Sequence, residues 1–237
     1  MDGILTFLSF GPEGWSDEIA SGVLVTVFLA LATLPFGLAV GFAVALGKIS
    51  ADSALRLAAN IYTTIFRGLP ELLTLFLVFY GAQIAVQQVM RLAGTGVTIE
   101  INAFVAGMVA LGAVFSAYAS EVFVSAFRAI PQGQYEGAYA VGLSRWCTMR
   151  LVILPQLIRL ALPGLSNLWL ILLKETSLVS VIGLADILRQ TGVAARVTKE
   201  AFLFFGLACL IYLVLAVLSS FAFSAIERRV SLSGPAR

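Results

Sequence analysis

Apolar positions in this chain come in long runs rather than in alternation. Residues 19–47, 101–120 and 201–226 hold no charged side chain, and 57–80 and 160–182 are each interrupted only by a short polar cluster. Each run approaches the ~20 residues a helix needs to cross a ~30 Å hydrocarbon core. The ~10-residue alternating segments of a transmembrane barrel are absent. The pattern predicts one all-α membrane domain over 1–237, with five transmembrane helices at about 21–46, 57–80, 101–121, 160–182 and 201–226.

The interruptions carry information. Pro35 inside the first run removes a backbone donor and predicts a kink. Gly37 and Gly41 form a Gly-x-x-x-Gly, which either lets two helices approach closely or occurs by chance. In the second run, Arg67-Gly68-Leu69-Pro70-Glu71 predicts a broken helix, with an arginine and a glutamate at the break. Charges at membrane depth mark pathways or sit at the membrane boundary. Lys174 and Glu175 are adjacent, so on a helix they point ~100° apart and do not simply neutralise each other. Glu121 lies at or just past the inner end of the third span. Residues 81–100 read as a loop, with 86–92 as a possible surface helix, and 183–200 as a loop holding Asp186, Arg189, Arg196 and Lys199. Glu227-Arg228-Arg229 stops the last span.

One polar island, 131–155, lies between the third and fourth spans. Pro131 opens a helix on which Tyr135, Ala138, Tyr139 and Gly142 share a face. This small-residue face suits docking into the groove of another protein. Glu136 is placed in the first turn, where its charge favours the helix dipole. Gly142 ends the helix, and Ser144 caps a second one that stops before Pro155.

Charge then sets the orientation. Of 15 lysines and arginines, nine (Lys48, Arg56, Arg128, Arg145, Arg150, Arg159, Arg228, Arg229, Arg237) fall on the side of the island. Four (Arg91, Arg189, Arg196, Lys199) fall opposite. The positive-inside rule puts the N-terminus outside, in the periplasm, and the island and C-terminus in the cytosol. The start of the chain does not read as a cleaved signal peptide, because it lacks a basic region and carries Asp2, Glu13, Asp17 and Glu18. Residues 4–10 are expected to lie along the interface or to hang as a tethered tail.

Composition excludes several classes of chemistry. There is no histidine, so Ser–His and Cys–His catalysis and histidine metal centres are ruled out. Cys147 and Cys209 fall in the loop and in the last span, a poor placement for a disulfide. The stretch from Phe42 to Ile49 superficially suggests a phosphate loop, but Phe42 stands where its first glycine belongs and Ile49 where its Ser/Thr belongs. No metal site, cofactor or nucleotide site of its own is expected, nor any contact with nucleic acid.

Glu136-Gly137-Ala138, then Gly142, then Val152-x-Leu154-Pro155, resembles the coupling-loop motif of bacterial ABC importer permeases. Two positions depart: Gly137 replaces an alanine and Val152 an isoleucine. Tyr62-Thr-Thr-Ile-Phe-Arg67-Gly68-Leu69-Pro70-Glu71-Leu72 and Leu173-Lys174-Glu175-Thr176-Ser177-Leu178-Val179-Ser180 are similar to the polar amino-acid branch. Within it they look most like the "Q" half of the histidine/lysine/arginine/ornithine and opine permeases. The resemblance implies a multi-pass protein of the bacterial inner membrane. A second permease chain, commonly a different one and alternatively another copy, would complete the pore. An ABC ATPase dimer would bind the ATP and dock on Glu136, Gly137, Ala138, Gly142, Leu154 and Pro155. A periplasmic binding protein would deliver the amino acid.

Arg67, Glu71, Glu121, Lys174 and Glu175 are the candidate pathway residues. The carboxylates suit a cationic substrate, and the bases suit its carboxylate. Each could equally form a structural ion pair with the partner chain. A stand-alone secondary transporter using the carboxylates as proton relays is the alternative function. A membrane enzyme lacks any nucleophile–base set.

Overall fold

Uninterrupted apolar runs fold as helices because a helix satisfies its own backbone N–H and C=O groups where water is absent. A computed structural model describes residues 6–11, 14–92, 94 and 100–232. Its helices are α1 (Ser16–Ile49), α2 (Ser53–Gly68), α3 (Glu71–Leu92), α4 (Ala103–Ala129), α5 (Gln132–Ala140), α6 (Arg145–Thr148), α7 (Leu154–Glu175), α8 (Ile187–Thr198) and α9 (Ala201–Leu232). A π turn, Met149–Ile153, joins α6 to α7, and a 3-10 stretch, Thr176–Ile182, extends α7. Among the described residues there is no strand.

Five helical runs are long and apolar enough to cross a membrane: Ser16–Ile49, Glu71–Leu92, Ala103–Ala129, Arg145–Ile182 and Ala201–Val230. The number matches the expectation, but several boundaries differ. The break at Pro70 divides the second run completely. α2 ends at Gly68, and the spanning helix is α3, which continues to Leu92 through the stretch expected to be a loop. Pro70 cannot donate a hydrogen bond and disfavours helix before it, yet it starts the next helix well. α1 passes unbroken through Pro35.

Glu227-Arg228-Arg229 does not stop α9, which runs on to Leu232; these charges end its apolar part only. The expected loop 183–200 contains α8, capped by Asp186, whose Oδ1 accepts from the Arg189 N–H at 2.9 Å. The N-terminal residues that are described do not hang free. Trp15 N–H donates to the Phe7 carbonyl at 3.0 Å, Ser16 Oγ donates to the Leu8 carbonyl at 2.8 Å, and Phe7 and Trp15 pack against the buried cluster of Ile19, Ala194, Ala195 and Phe204. Ile4 and Leu5 lie outside the described residues.

The core is built around α4. Ala110, Leu111, Val114, Ala117 and Ala119 are all buried, and α1, α3 and α7 pack on them. The glycine pair on α1 is a true packing seam. A Cβ on Gly37 would sit 2.5 Å from Phe115 Cδ1, and one on Gly41 would sit 2.9 Å from the Ser116 carbonyl oxygen. Further along, Gly107 lies near Leu29 and Gly112 against Phe36. The matched positions ascend together, so α1 and α4 run in the same direction. Spans one and three must do so when successive spans alternate. α9, by contrast, leaves Leu210, Leu213, Leu218 and Phe221 exposed, an apolar surface for lipid or another chain.

Candidate functional site: the coupling loop and the charges it reaches

The island folds as two helices set off by a tight stop. Pro131 (φ −60°) occupies the N-cap of α5 and supplies the backbone angle that the first turn needs. The helix ends in a Schellman motif. Gly142 takes φ +81°, Leu143 N–H donates to the Ala138 carbonyl at 3.1 Å, and Gly142 N–H donates to the Tyr139 carbonyl at 3.0 Å. A left-handed residue is needed there, and glycine supplies it without steric cost. Ser144 then caps α6, its Oγ accepting from the Cys147 N–H at 3.3 Å.

Pro155 does not end the helix as expected. The preceding turn widens, so that Leu154 N–H reaches the Met149 carbonyl, five residues back. Such a π turn gives the proline ring room and a new register. Gln156 secures the junction. Its Nε2 donates to the Val152 carbonyl at 2.8 Å and to Gln134 Oε1 of α5 at 3.1 Å. Helix α5 is thereby tied to the base of α7. From Arg145 to Ile182 the chain is one continuous helical rod.

The expected face is only partly offered. Ala138 is buried and Tyr135 packs on the core, whereas Tyr139 and Gly142 stay exposed. Burial pushes the Tyr135 phenol up, with Tyr139 adding to the shift. Glu136 and Gly137 are exposed, but Glu136 lies beyond the first turn of α5, where the helix dipole has largely faded. The apolar part of the surface includes Tyr139, Val141 (76% exposed), Trp146 (71% exposed) and Leu151. Val141 and Trp146 escaped sequence reasoning. Two large apolar residues inside a polar island were the available signal. Leu154 is half-buried at the start of α7, and Pro155 is exposed. A pocket of about 620 Å³, lined by Phe127, Arg128, Pro131, Tyr135 and Tyr139 among others, separates the end of α4 from α5.

The five candidate pathway charges fall into two groups. In the first, Glu121 Oε1 accepts from Lys48 Nζ at 2.6 Å and from Arg67 Nη1 at 2.7 Å. The Arg67 guanidinium also lies 5.5 Å from the Tyr118 ring centroid. Tyr62 fixes α2 to α4 through its hydroxyl, 2.7 Å from Ser116 Oγ and 3.2 Å from the Ala113 carbonyl oxygen. Lys48 was expected among the cytosolic link charges. It is instead only 9% exposed and pairs with a residue 73 positions away. Glu121 sits about two turns before the end of α4, not at its terminus. A cavity of about 380 Å³ opens beside it towards Leu160 and Gly164 of α7.

In the second group, Glu71, the first residue of α3, acts electrostatically on Glu175 at the end of α7, as does the neighbouring Lys174. Lys174 is exposed and Glu175 half-buried, as expected for adjacent residues that point apart on a helix. Among the described residues, no group of three His, Cys, Asp or Glu side chains could hold a metal.

The profile of the binding-protein-dependent transport system inner membrane components matches residues 33–232. The chain belongs to this family. It is similar to the nopaline transport system permease protein NocQ of Agrobacterium fabrum, at 41% identity covering 94% of this chain and 95% of that protein. It is also similar to the histidine/lysine/arginine/ornithine transport system permease protein HisQ of Escherichia coli, at 40% identity covering 92% and 96%. A crystal structure of an amino acid ABC transporter with histidines superposes with a TM-score of 0.76 at 33% identity, covering 91% of this chain and 95% of that one. A MetNI methionine ABC transporter chain, at 20% identity and a TM-score of 0.73, shares the fold.

Membership makes this chain one permease component of a system that also requires a binding protein. It sets aside the stand-alone secondary transporter. The matched region of this permease runs from Thr33 in α1 to Leu232 in α9 and so contains both the loop and the two groups of charges.

Proposed function

We propose that this permease forms half of the pore of an ATP-driven bacterial importer for polar, chiefly cationic, amino acids or opines. The observation that carries the mechanism is the continuous helical rod from Arg145 to Ile182. Its base holds exposed Trp146 and is tied to α5 through Gln156 and Gln134. Its far end carries Lys174 and Glu175. An ATPase dimer docked on Glu136, Gly137, Tyr139, Val141 and Trp146 pushes on the base. The rod passes that displacement to charged groups in the membrane without a flexible joint.

The relatives named for nopaline and for histidine, lysine, arginine and ornithine support the substrate class. Glu71 and Glu175 supply negative charge for a cationic side chain. The Lys48–Glu121–Arg67 cluster ties α1, α2 and α4 together beside the inner cavity and serves as a gate. The exposed apolar faces of α3 and α9 suit lipid and a second permease chain of different sequence. The lysine and arginine count supports a periplasmic N-terminus, a cytosolic loop and residence in the inner membrane. Nucleotide chemistry belongs to the partner ATPase, so this chain is not itself an enzyme.

Uptake of labelled arginine into cells tests the reading. Uptake that survives collapse of the proton gradient while ATP stays high supports it. Uptake that stops with the gradient contradicts it.

A further inference from the structure

A third pocket, of about 420 Å³, lies between the first half of α7 and the end of α9. It is lined by Arg159, Leu162, Pro163, Ser224, Glu227, Arg228 and Val230. Its two arginines come from different helices. Its position is distinctive, because α9 is uncharged from Ala201 to Ile226 and meets its first charges at Glu227 and Arg228. The pocket therefore straddles the level at which hydrocarbon gives way to headgroups. This follows from the sequence of α9 and holds for either orientation of the chain.

We propose that this pocket binds the headgroup phosphate of an acidic phospholipid. Basic pockets between transmembrane helices at the headgroup level are suited to this ligand. Each guanidinium offers five donors in a plane that matches phosphate oxygens, so one already engaged by a protein partner still carries donors for the lipid. Leu162 and Pro163, further into α7 than Arg159, give an apolar wall for the glycerol and the first methylenes. Glu227 is the one acidic group in the lining, and Ser166 Oγ donates to its Oε1 at 2.8 Å. That carboxylate and Ser224 remain able to accept from a hydroxyl-bearing headgroup, which makes phosphatidylglycerol a better fit than phosphatidylcholine. A bound lipid would bridge α7, the rod driven by the loop, to α9. Lipid composition would then alter how firmly the rod is held.

The test uses the full chain purified in mild detergent and exposed to phosphatidylglycerol, phosphatidylcholine or inorganic phosphate, with retained ligand counted by native mass spectrometry. Phosphatidylglycerol should be retained at least tenfold over phosphatidylcholine and should resist excess inorganic phosphate. Arg159→Gln and Arg228→Gln should each lower its retention by about tenfold, in line with the loss of one charge-assisted contact. The wild-type comparison between the two lipids needs no variant and stands even if a variant misfolds. Equal retention of the two lipids, or displacement by inorganic phosphate alone, would overturn the proposal. So would arginine variants that are folded and bind as the wild type does.

Discussion

One oxygen of Glu121 accepts from both Lys48, at 2.6 Å, and Arg67, at 2.7 Å, and so joins α4 to the ends of α1 and α2. The two partners are unequal. Lys48 is 9% exposed, whereas Arg67 is 44% exposed and reaches water. Glu121→Gln strands a nearly buried ammonium and should cost about 2 kcal/mol, between the values for surface and fully buried pairs. Arg67→Gln should cost less than about 1 kcal/mol. Thermal unfolding in detergent should rank the variants in that order, and equal midpoints would show that Lys48 has another counter-charge.

The α1–α4 seam gives a packing test. A methyl group on Gly41 would meet the Ser116 carbonyl oxygen at 2.9 Å and Ala119 Cβ at 3.0 Å, and this backbone cannot retreat as a side-chain tip can. Gly41→Ala should destabilise by about 1–3 kcal/mol. Gly137→Ala, on an open helical face with nothing within 4 Å, should stabilise α5 by about 0.5–1 kcal/mol. A Gly41→Ala protein as stable as wild type would mean that the helices are not locked together there.

Much of this was legible in the sequence because a membrane leaves few alternatives. Uncharged runs become helices, and residues 19–47 and 201–226 need no tertiary information to be read. α8 was legible but missed. Asp186 caps it, and Ile187, Thr191, Ala194 and Ala195 repeat at helical spacing, but the charges of 183–200 read as a loop. Pro155 misled because the rule against proline assumes an α turn before it, and the chain uses a π turn. The Lys48–Glu121 pair was beyond reach. Nothing local links residues 73 positions apart, and Lys48 looks like any basic residue at the end of a span.

Asp186 makes a pH prediction. Its side chain is fully buried, Gly22 packs against its backbone carbonyl, and burial pushes its carboxyl up to about 6 despite the backbone N–H groups of Arg189 and Leu188. The folded chain therefore holds this proton more tightly than the unfolded chain, whose carboxyl titrates near 3.8. The resulting stability is complete at low pH and is lost as pH rises through that window to about 6. Asp186→Asn keeps the cap and removes the titration. Between pH 4 and 7 the wild-type unfolding midpoint should fall relative to this variant. Parallel curves would show that Asp186 does not hold the proton.

Substrate charge should be felt at the second group. Glu71→Gln and Glu175→Gln should each weaken uptake of arginine or lysine more than uptake of a neutral polar amino acid, because they remove negative charge from the same place. Competition for uptake in whole cells measures this, and equal loss for both substrate classes would make the two residues structural.

In the proposed mechanism, force enters through the exposed face of α5 and α6. The most direct measurement compares the wild type with Glu136→Lys, each purified gently from its native cell and assayed for associated ATP hydrolysis, with uptake measured in parallel. The wild type should bring down ATP hydrolysis. The variant should remain in the membrane with an unchanged unfolding midpoint, yet lose both the associated hydrolysis and the uptake. A folded Glu136→Lys protein that retains both at wild-type levels would contradict the account.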